Sequence, residues 1–234
     1  MLTKITPTAG TMMKVLLIKI LIAVAYGIIL GIVTIPLSRS LTLSRTEDPA
    51  DAAVLNKISL KLISVILGIG ASVAVMLTAA STALIIRNLL LLIPIFSISF
   101  VDSLVRKIPN PLLLTMLIIQ AGYLIYYCIS EKSLEELSKV FLGFFLGMIV
   151  CTIPSILKIP MGAGDIKYSG VIGLTIYAVG YFQAMVLMAL FVLMFFIYMK
   201  IKKKGGLKTQ IPMGPFLSIG TVISMCFSVF DFIG

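Results

Sequence analysis

The acidic residues are the side chains of this sequence with the clearest capacity for chemistry. The chain has nine Asp and Glu residues and no His among its 234 residues. Without histidine it can form neither a Ser-His or Cys-His nucleophile pair nor an HExxH zinc site. Cys128, Cys151 and Cys226 are far apart and form no CxxC pair, so we expect them to pack and expect no metal site. Carboxylates are therefore the candidate catalytic groups.

Two of the nine acids, Asp102 and Asp165, each lie where an apolar run meets a polar segment. The other seven lie in two polar segments or near the C-terminus: Glu47, Asp48, Asp51, Glu131, Glu135, Glu136 and Asp231. Asp102 and Asp165 are 63 residues apart, which is room for two membrane-spanning helices of about 20 residues each. Two crossings return the chain to the same membrane face, so we expect both carboxylates at similar depth on one side.

Such a pair has a recognisable chemistry. Two carboxylates a few ångströms apart do not both ionise easily, so they share a proton. The ionised partner takes a proton from water, which attacks a peptide carbonyl, and the protonated partner donates to the carbonyl oxygen and later assists the leaving amine. The placement of Asp102 and Asp165 thus predicts an aspartyl dyad. Taken singly, Asp165 is also explained as a helix cap and Asp102 as a solvated charge at a helix end.

The elements that must position these residues are apolar helices. The chain is 60% hydrophobic and 12% charged, well outside the range of soluble domains. This composition predicts an all-α, polytopic helical membrane protein with about eight transmembrane helices. The expected spans are residues 13–36, 60–81, 83–101, 111–129, 137–157, 168–180, 182–200 and 212–232. Seven spans remain the alternative. The boundary between the second and third spans is weak, and Gly180 is the only turn signal between the sixth and seventh spans.

The basic residues predict the orientation and the domain layout. Lys and Arg concentrate in four segments between spans, 37–59, 102–110, 158–167 and 201–211, whereas residues 130–136 are net negative. The positive-inside rule then predicts a multi-pass protein of the cell membrane, with the four basic segments in the cytoplasm and the N-terminus on the outer side. This distribution argues against a nucleic-acid partner for the net charge of +10. We expect a first span at 1–36, a short cytoplasmic loop at 37–59 and a membrane-embedded peptidase domain at 60–234. A cleaved signal peptide is the other interpretation of residues 1–36.

The stretch "KIPMGAGDIKYSG", residues 158–170, surrounds the second aspartate with small residues. We expect Gly162 and Gly164 to adopt φ values closed to other residues and to let a substrate backbone come close. Pro160 is expected to help end the preceding helix. The Gly-Ala-Gly sequence at 162–164 then puts Asp165 at the start of the sixth span.

Three motifs in order resemble one family. "DSLVRKIPN" (102–110) resembles the first aspartate motif of type IV prepilin peptidases and archaeal preflagellin peptidases, which are GxGD membrane aspartyl proteases. "GAGDIK" (162–167) is similar to their GxGD-x-K motif, and "IPMGPFLSIG" (211–220) resembles the motif at the start of their last span. The resemblance covers roughly residues 84–232.

The resemblance implies an endopeptidase that removes the leader of type IV pilin-like or archaellin-like precursors at the cytoplasmic face. Such a substrate has basic residues before the cut and a long apolar helix after it, lying in the lipid bilayer. The resemblance makes Asp102 and Asp165 the catalytic pair, and assigns support of the catalytic loop to Gly162, Gly164 and Lys167. It also suggests candidates for the substrate cleft: Pro109, Asn110, Pro212, Gly214 and Pro215.

The chain departs from the family in one respect. Many bacterial members have a larger cytoplasmic domain with two CxxC pairs and N-methylate the new terminus with S-adenosylmethionine. Here the 37–59 loop is short and has no cysteine. We expect the peptidase reaction to need no cofactor. S-adenosylmethionine would be needed only if methyltransferase activity is retained, and the sequence makes that activity doubtful.

Other classes of membrane protein also place acids near the bilayer. Presenilin-like intramembrane proteases share GxGD but have a tyrosine before the first aspartate, where this chain has Val101. A proton-coupled transporter uses intramembrane acids as relays but gives no reason for the flanking motifs. A purely structural subunit leaves the placement of the acids unexplained.

Overall fold

The fold is a bundle of apolar helices. The structure is a computed structural model that describes residues 9–46, 48–131, 135–156, 162–202 and 212–227. Glu47, Pro160 and Asp231, which the sequence interpretation used, lie outside these residues. Eight α-helices are present in the described part: α1 (Ala9–Leu43), α2 (Pro49–Ala53), α3 (Ile58–Thr78), α4 (Thr82–Val105), α5 (Asn110–Glu131), α6 (Glu135–Ile156), α7 (Ala163–Ile201) and α8 (Met213–Cys226).

Six of these helices, α1 and α3 to α7, are long and apolar enough to cross a membrane, and α8 is a shorter apolar helix. No strand occurs among the residues described. The prediction of an all-α polytopic membrane protein is therefore confirmed. The weak boundary between the second and third spans is a real helix boundary, because Ser81 caps α4 and its hydroxyl accepts the Leu84 N–H at 3.2 Å.

The sixth and seventh predicted spans are the two parts of α7, but the boundary between them differs from the prediction. The break is at Tyr177 (φ 60°, ψ 177°) rather than at Gly180. The hydroxyls of Ser169 and Tyr181 are hydrogen-bonded, although twelve residues of straight helix would separate their Cα atoms by about 18 Å. The chain therefore folds back at Tyr177, and α7 consists of two arms, residues 163–176 and 178–201.

Packing against α6 explains the position of this bend. A Cβ on Gly143 of α6 would overlap the carbonyl oxygen of Gly173 and lie 2.9 Å from the carbonyl carbon of Tyr177. Backbones approach this closely only where side chains are absent. The first arm of α7 is thus held against α6 up to the bend, while Gly180 lies in the helical second arm.

The cytoplasmic loop predicted at 37–59 is also shorter than expected. Helix α1 continues through Pro36 to Leu43, and α2 and a 3₁₀ turn (Val54–Asn56) occupy most of the remainder. Leu37 and Leu41 pack against the main hydrophobic core, and this tertiary packing stabilises two further helical turns. Loop composition alone could not reveal it.

The ends of several helices meet on one side of the bundle. The Lys107 ammonium, after α4, donates to the Arg45 carbonyl, after α1, at 3.4 Å. The position of a Cβ on Gly164, at the start of α7, is 3.2 Å from Ile108 Cβ, before α5. Helices α5 and α6 form the hairpin between Asp102 and Asp165, as the spacing predicted. The main core lies directly beneath this end and comes chiefly from α4, α5, α7 and α8.

Candidate active site

Asp102 lies in the last turn of α4 and is 3% exposed. Its Oδ2 atom accepts a hydrogen bond from the Gly214 N–H, at the start of α8, with an N···O distance of 2.8 Å. Helix α4 ends at Arg106, whose backbone is left-handed (φ 54°, ψ 37°) and whose N–H donates to the Asp102 carbonyl at 3.0 Å. The carboxylate is therefore held between the end of one helix and the start of another.

Asp165 lies in the first turn of α7, as predicted. Gly162 is the N-cap residue, and the Asp165 and Ile166 N–H groups donate to its carbonyl at 3.0 and 3.3 Å. A carboxylate in the first turn also interacts favourably with the positive end of the helix dipole. The N-cap residue is therefore Gly162 and not Asp165, so the simple alternative of Asp165 as the helix cap is wrong, and its carboxylate lies in the first turn and in the cavity described next.

One cavity of about 370 Å³ contains both aspartates. Asp102 and Asp165 line it together and interact electrostatically. Its other lining residues come from the segment after α4 and from the start of α7: Arg106, Lys107, Ile108, Asn110, Gly162, Ala163, Gly164 and Lys167. The cavity brings together two acids that are 63 positions apart in the chain.

Three basic residues, Arg106, Lys107 and Lys167, surround the two acids in this cavity. Arg106 acts electrostatically on Asp102. Positive charges near carboxylates favour their ionised forms and oppose the effect of burial. The same charges are available to stabilise negative charge that develops on a substrate oxygen.

A buried tyrosine supports the site from below. Tyr168, one turn after Asp165, is fully buried, and its hydroxyl is 2.7 Å from the Ser218 hydroxyl on α8. Ser218 also donates to the Ile95 carbonyl on α4 at 3.4 Å. These contacts join α4, α7 and α8, the three helices that hold the site.

A family comparison agrees with this geometry. The model of the type IV leader peptidase family matches residues 89–200. This part of the chain belongs to that family. The match includes Asp102, Asp165 and most of the cavity's walls. The curated proteins and the solved structures gave no match. Residues 89–200 thus form a type IV leader peptidase-like protease region, and the chain has several helices that are long and apolar enough to cross a membrane.

The structure places the predicted site residues of this peptidase unevenly. Asn110 and Lys167 line the cavity, as do Gly162 and Gly164. Gly214 reaches the site by its N–H bond to Asp102. Pro109, Pro212 and Pro215 do not line the part of the cavity that the described residues form; Pro109 is buried before α5, and Pro212 is the N-cap of α8.

The expected φ values of the two loop glycines are wrong. No glycine in the described residues has a positive φ, and Gly162 has ordinary extended values (φ −68°, ψ 136°). The lack of room for a side chain, rather than the backbone freedom of glycine, explains why these two positions are glycines. A Cβ on Gly162 would lie 2.9 Å from Asp165 Oδ2, and one on Gly164 would lie 3.2 Å from Ile108 Cβ.

Four lining residues were not predicted as site residues: Arg106, Lys107, Ile108 and Ala163. A signal for them existed, because three of the four lie between Asp102 and Asn110, both of which were predicted. The chain that links two residues of one small cavity must itself run along that cavity.

Proposed function

We propose that this peptidase is an aspartic endopeptidase that removes the basic leader from type IV pilin-like or archaellin-like precursors at the cytoplasmic face of the cell membrane. The observation that carries the proposal is the shared cavity. Asp102 and Asp165 come from the ends of two apolar helices, separated by a helical hairpin, and line one space of about 370 Å³. The family match to residues 89–200 supports a leader peptide as the substrate class.

In the proposed mechanism the two carboxylates hold one proton between them, because two negative charges in one small cavity repel. The ionised carboxylate accepts a proton from water, and the water oxygen attacks the carbonyl carbon of the scissile peptide bond. The protonated carboxyl donates to the carbonyl oxygen, and the tetrahedral intermediate then collapses with protonation of the leaving amine. No metal or organic cofactor takes part in these steps.

The surrounding residues have supporting roles in this proposal. The Gly214 N–H holds Asp102 Oδ2 and so fixes the orientation of that carboxyl group. Gly162 leaves room for the Asp165 carboxylate, since a Cβ there would lie 2.9 Å from Asp165 Oδ2. Arg106, Lys107 and Lys167 stabilise negative charge in the cavity, including that of the intermediate.

The test is cleavage of a purified pilin-like precursor by wild type and by the Asp102→Asn and Asp165→Asn variants in liposomes. Asparagine keeps the shape of the side chain but neither ionises nor takes up the proton from water, so both variants should lose cleavage. Asp48→Asn is the matched control, because Asp48 is an exposed helix cap away from the cavity and asparagine caps equally well. Wild-type rates in either site variant would refute the proposal.

The fate of the new N-terminus is a separate part of the proposal. In the described residues between α1 and α3 the elements are α2 and a 3₁₀ turn, and the segment has no cysteine. We therefore expect cleavage without N-methylation of the new terminus. Mass spectrometry of the product, with S-adenosylmethionine supplied, should show an unmodified terminus, and a stoichiometric gain of one methyl group would contradict this.

A further inference from the structure

A second feature of the bundle lies next to the active site. An apolar groove of about 520 Å³ runs between α3, α4 and α8. We call it the α3–α8 groove. Its walls are formed by half-buried and exposed side chains, among them Ala74, Phe96, Phe100, Ile219, Val222 and Ile223. In a membrane protein such residues face acyl chains or another apolar helix.

The groove lies close to Asp102 along α4. Ser99 and Phe100, which line it, are within one turn of Asp102 on α4. Its opposite wall is α8, the helix whose Gly214 N–H binds Asp102 Oδ2. Ser218, one turn after Gly214, lines the groove and contacts the Ile95 carbonyl. The seam between α4 and α8 therefore leads directly from the active site into the groove.

Three of the five α3 residues that line the groove are small, and the space beside them is not filled by the described residues. Gly70, Ala71 and Ala74 lie there, and a Cβ on Gly70 would meet no atom within 4 Å. Small residues let another helix approach the backbone closely, which is how helices associate inside membranes.

We propose that the α3–α8 groove binds the apolar helix of the precursor, immediately after the scissile bond. This inference rests on the proposed function, in which the substrate carries such a helix directly after the cut. The scissile bond must reach Asp102 and Asp165 at the ends of their helices, so the attached helix must run from that end into the bilayer. The groove lies close to Asp102 and follows α8, which is 14 residues long, or roughly 21 Å.

A rival surface exists on the second arm of α7. A groove of about 490 Å³ is lined by Met188, Ala189, Val192, Leu193, Phe196 and Met213. Its described lining residues come from the second arm of α7 and from Met213 at the start of α8, and none of them comes from α4, the helix that carries Asp102. Continuity with the catalytic carboxylate therefore favours the α3–α8 groove.

Disulfide cross-linking compares the two surfaces. Gly70 lines the α3–α8 groove, Ala189 lines the rival groove, and Gly122 of α5 lines neither. We would introduce Gly70→Cys, Gly122→Cys and Ala189→Cys one at a time, with Asp165→Asn to retain the substrate and with the three native cysteines changed to alanine. Gly122 is the matched control, since a Cβ there also meets no atom within 4 Å.

The probe is a pilin-like precursor with one cysteine in its apolar helix, placed in turn at four successive positions. Four successive positions cover about one full turn of the helix, so at least one of them faces the groove whatever the rotation of the helix. Gly70→Cys should cross-link most strongly at one or two of the four positions, as expected for one helical face. Cross-linking no stronger than that of Gly122→Cys, or stronger from Ala189→Cys, would overturn the proposal.

Blocking the groove gives a second measurement. Gly70→Phe in the otherwise wild-type chain should lower kcat/KM for the full precursor by about ten- to hundredfold, the affinity lost with one or two buried apolar side chains. Gly122→Phe should change it less than twofold, and an equal effect of the two variants would refute the groove. Failure of the proposed function is distinguishable, because then the wild type would not cleave the precursor at all.

Discussion

The contact between Gly214 and Asp102 makes a sharp prediction. In Gly214→Ala the new Cβ would lie 2.7 Å from Asp102 Oδ2, 2.8 Å from its Cβ and 2.9 Å from its Cγ. Carbon atoms in ordinary contact are about 3.5 Å apart, so α8 and the Asp102 side chain must separate by roughly 0.6 to 0.8 Å. Gly214 has no positive φ, so alanine can adopt its backbone conformation and only the packing changes.

This displacement should mainly affect the rate. A misplacement of about 1 Å in an active site costs up to about 100-fold in rate, so we expect kcat to fall by about ten- to hundredfold. Overpacking should also lower the free energy of unfolding by about 1–3 kcal/mol.

The assay is cleavage of a precursor in liposomes, at a temperature where the variant remains folded, with kcat and KM determined separately. Gly122→Ala is the control, since that glycine is exposed on α5 and has open space around it. A folded Gly214→Ala enzyme with kcat within twofold of wild type would show that the contact with Asp102 does not orient the carboxyl group.

Three further substitutions separate the site from the scaffold. Gly162→Ala would bring a Cβ 2.9 Å from Asp165 Oδ2. Because the Asp165 side chain can rotate away, we expect a several-fold loss of kcat in the same assay, smaller than for Gly214→Ala. An unchanged kcat would count against a catalytic Asp165. The new Cβ of Gly143→Ala would overlap the Gly173 carbonyl. This overpacking should lower the free energy of unfolding by about 1–3 kcal/mol and so lower the melting temperature. An unchanged melting temperature would contradict the close packing of α6 on α7. Ser81→Ala removes the hydroxyl that accepts the Leu84 N–H and should lower the free energy of unfolding by about 0.5–2 kcal/mol. Cleavage should stay intact, since Ser81 is at the end of α4 far from Asp102. A loss of activity in the folded protein would contradict this.

The helices were largely predictable because bilayer-spanning segments must be long and apolar. The errors arose where tertiary contacts outweigh local composition. Tyr177 would not be chosen from sequence as a bend, because a positive φ favours glycine and Gly180 is three residues away. The close approach of Gly143 and Gly173 determines the bend, and it joins two helices whose mutual register the sequence does not state. The extension of α1 past Pro36 has the same origin in the packing of Leu37 and Leu41.

The site was predictable to the extent that charge is rare in apolar helices. Asp102 and Asp165 stood out for this reason, and the hairpin between them explains why they meet in one cavity. Contacts across long stretches of chain could not be inferred. The N–H of Gly214 reaches Asp102 across 112 positions, and the left-handed backbone of Arg106 lies at a residue type that rarely adopts it. The role of Gly162 as a spacer for the Asp165 carboxylate likewise depends on geometry.

The most direct test of the central claim is a double-variant cycle on the two aspartates. We would measure precursor cleavage by wild type, Asp102→Asn, Asp165→Asn and the variant with both changes. Groups that act as one catalytic unit are strongly non-additive, so each single change should abolish cleavage as fully as the two together. If either single variant keeps substantial activity, or if the two losses multiply, Asp102 and Asp165 do not work as a pair.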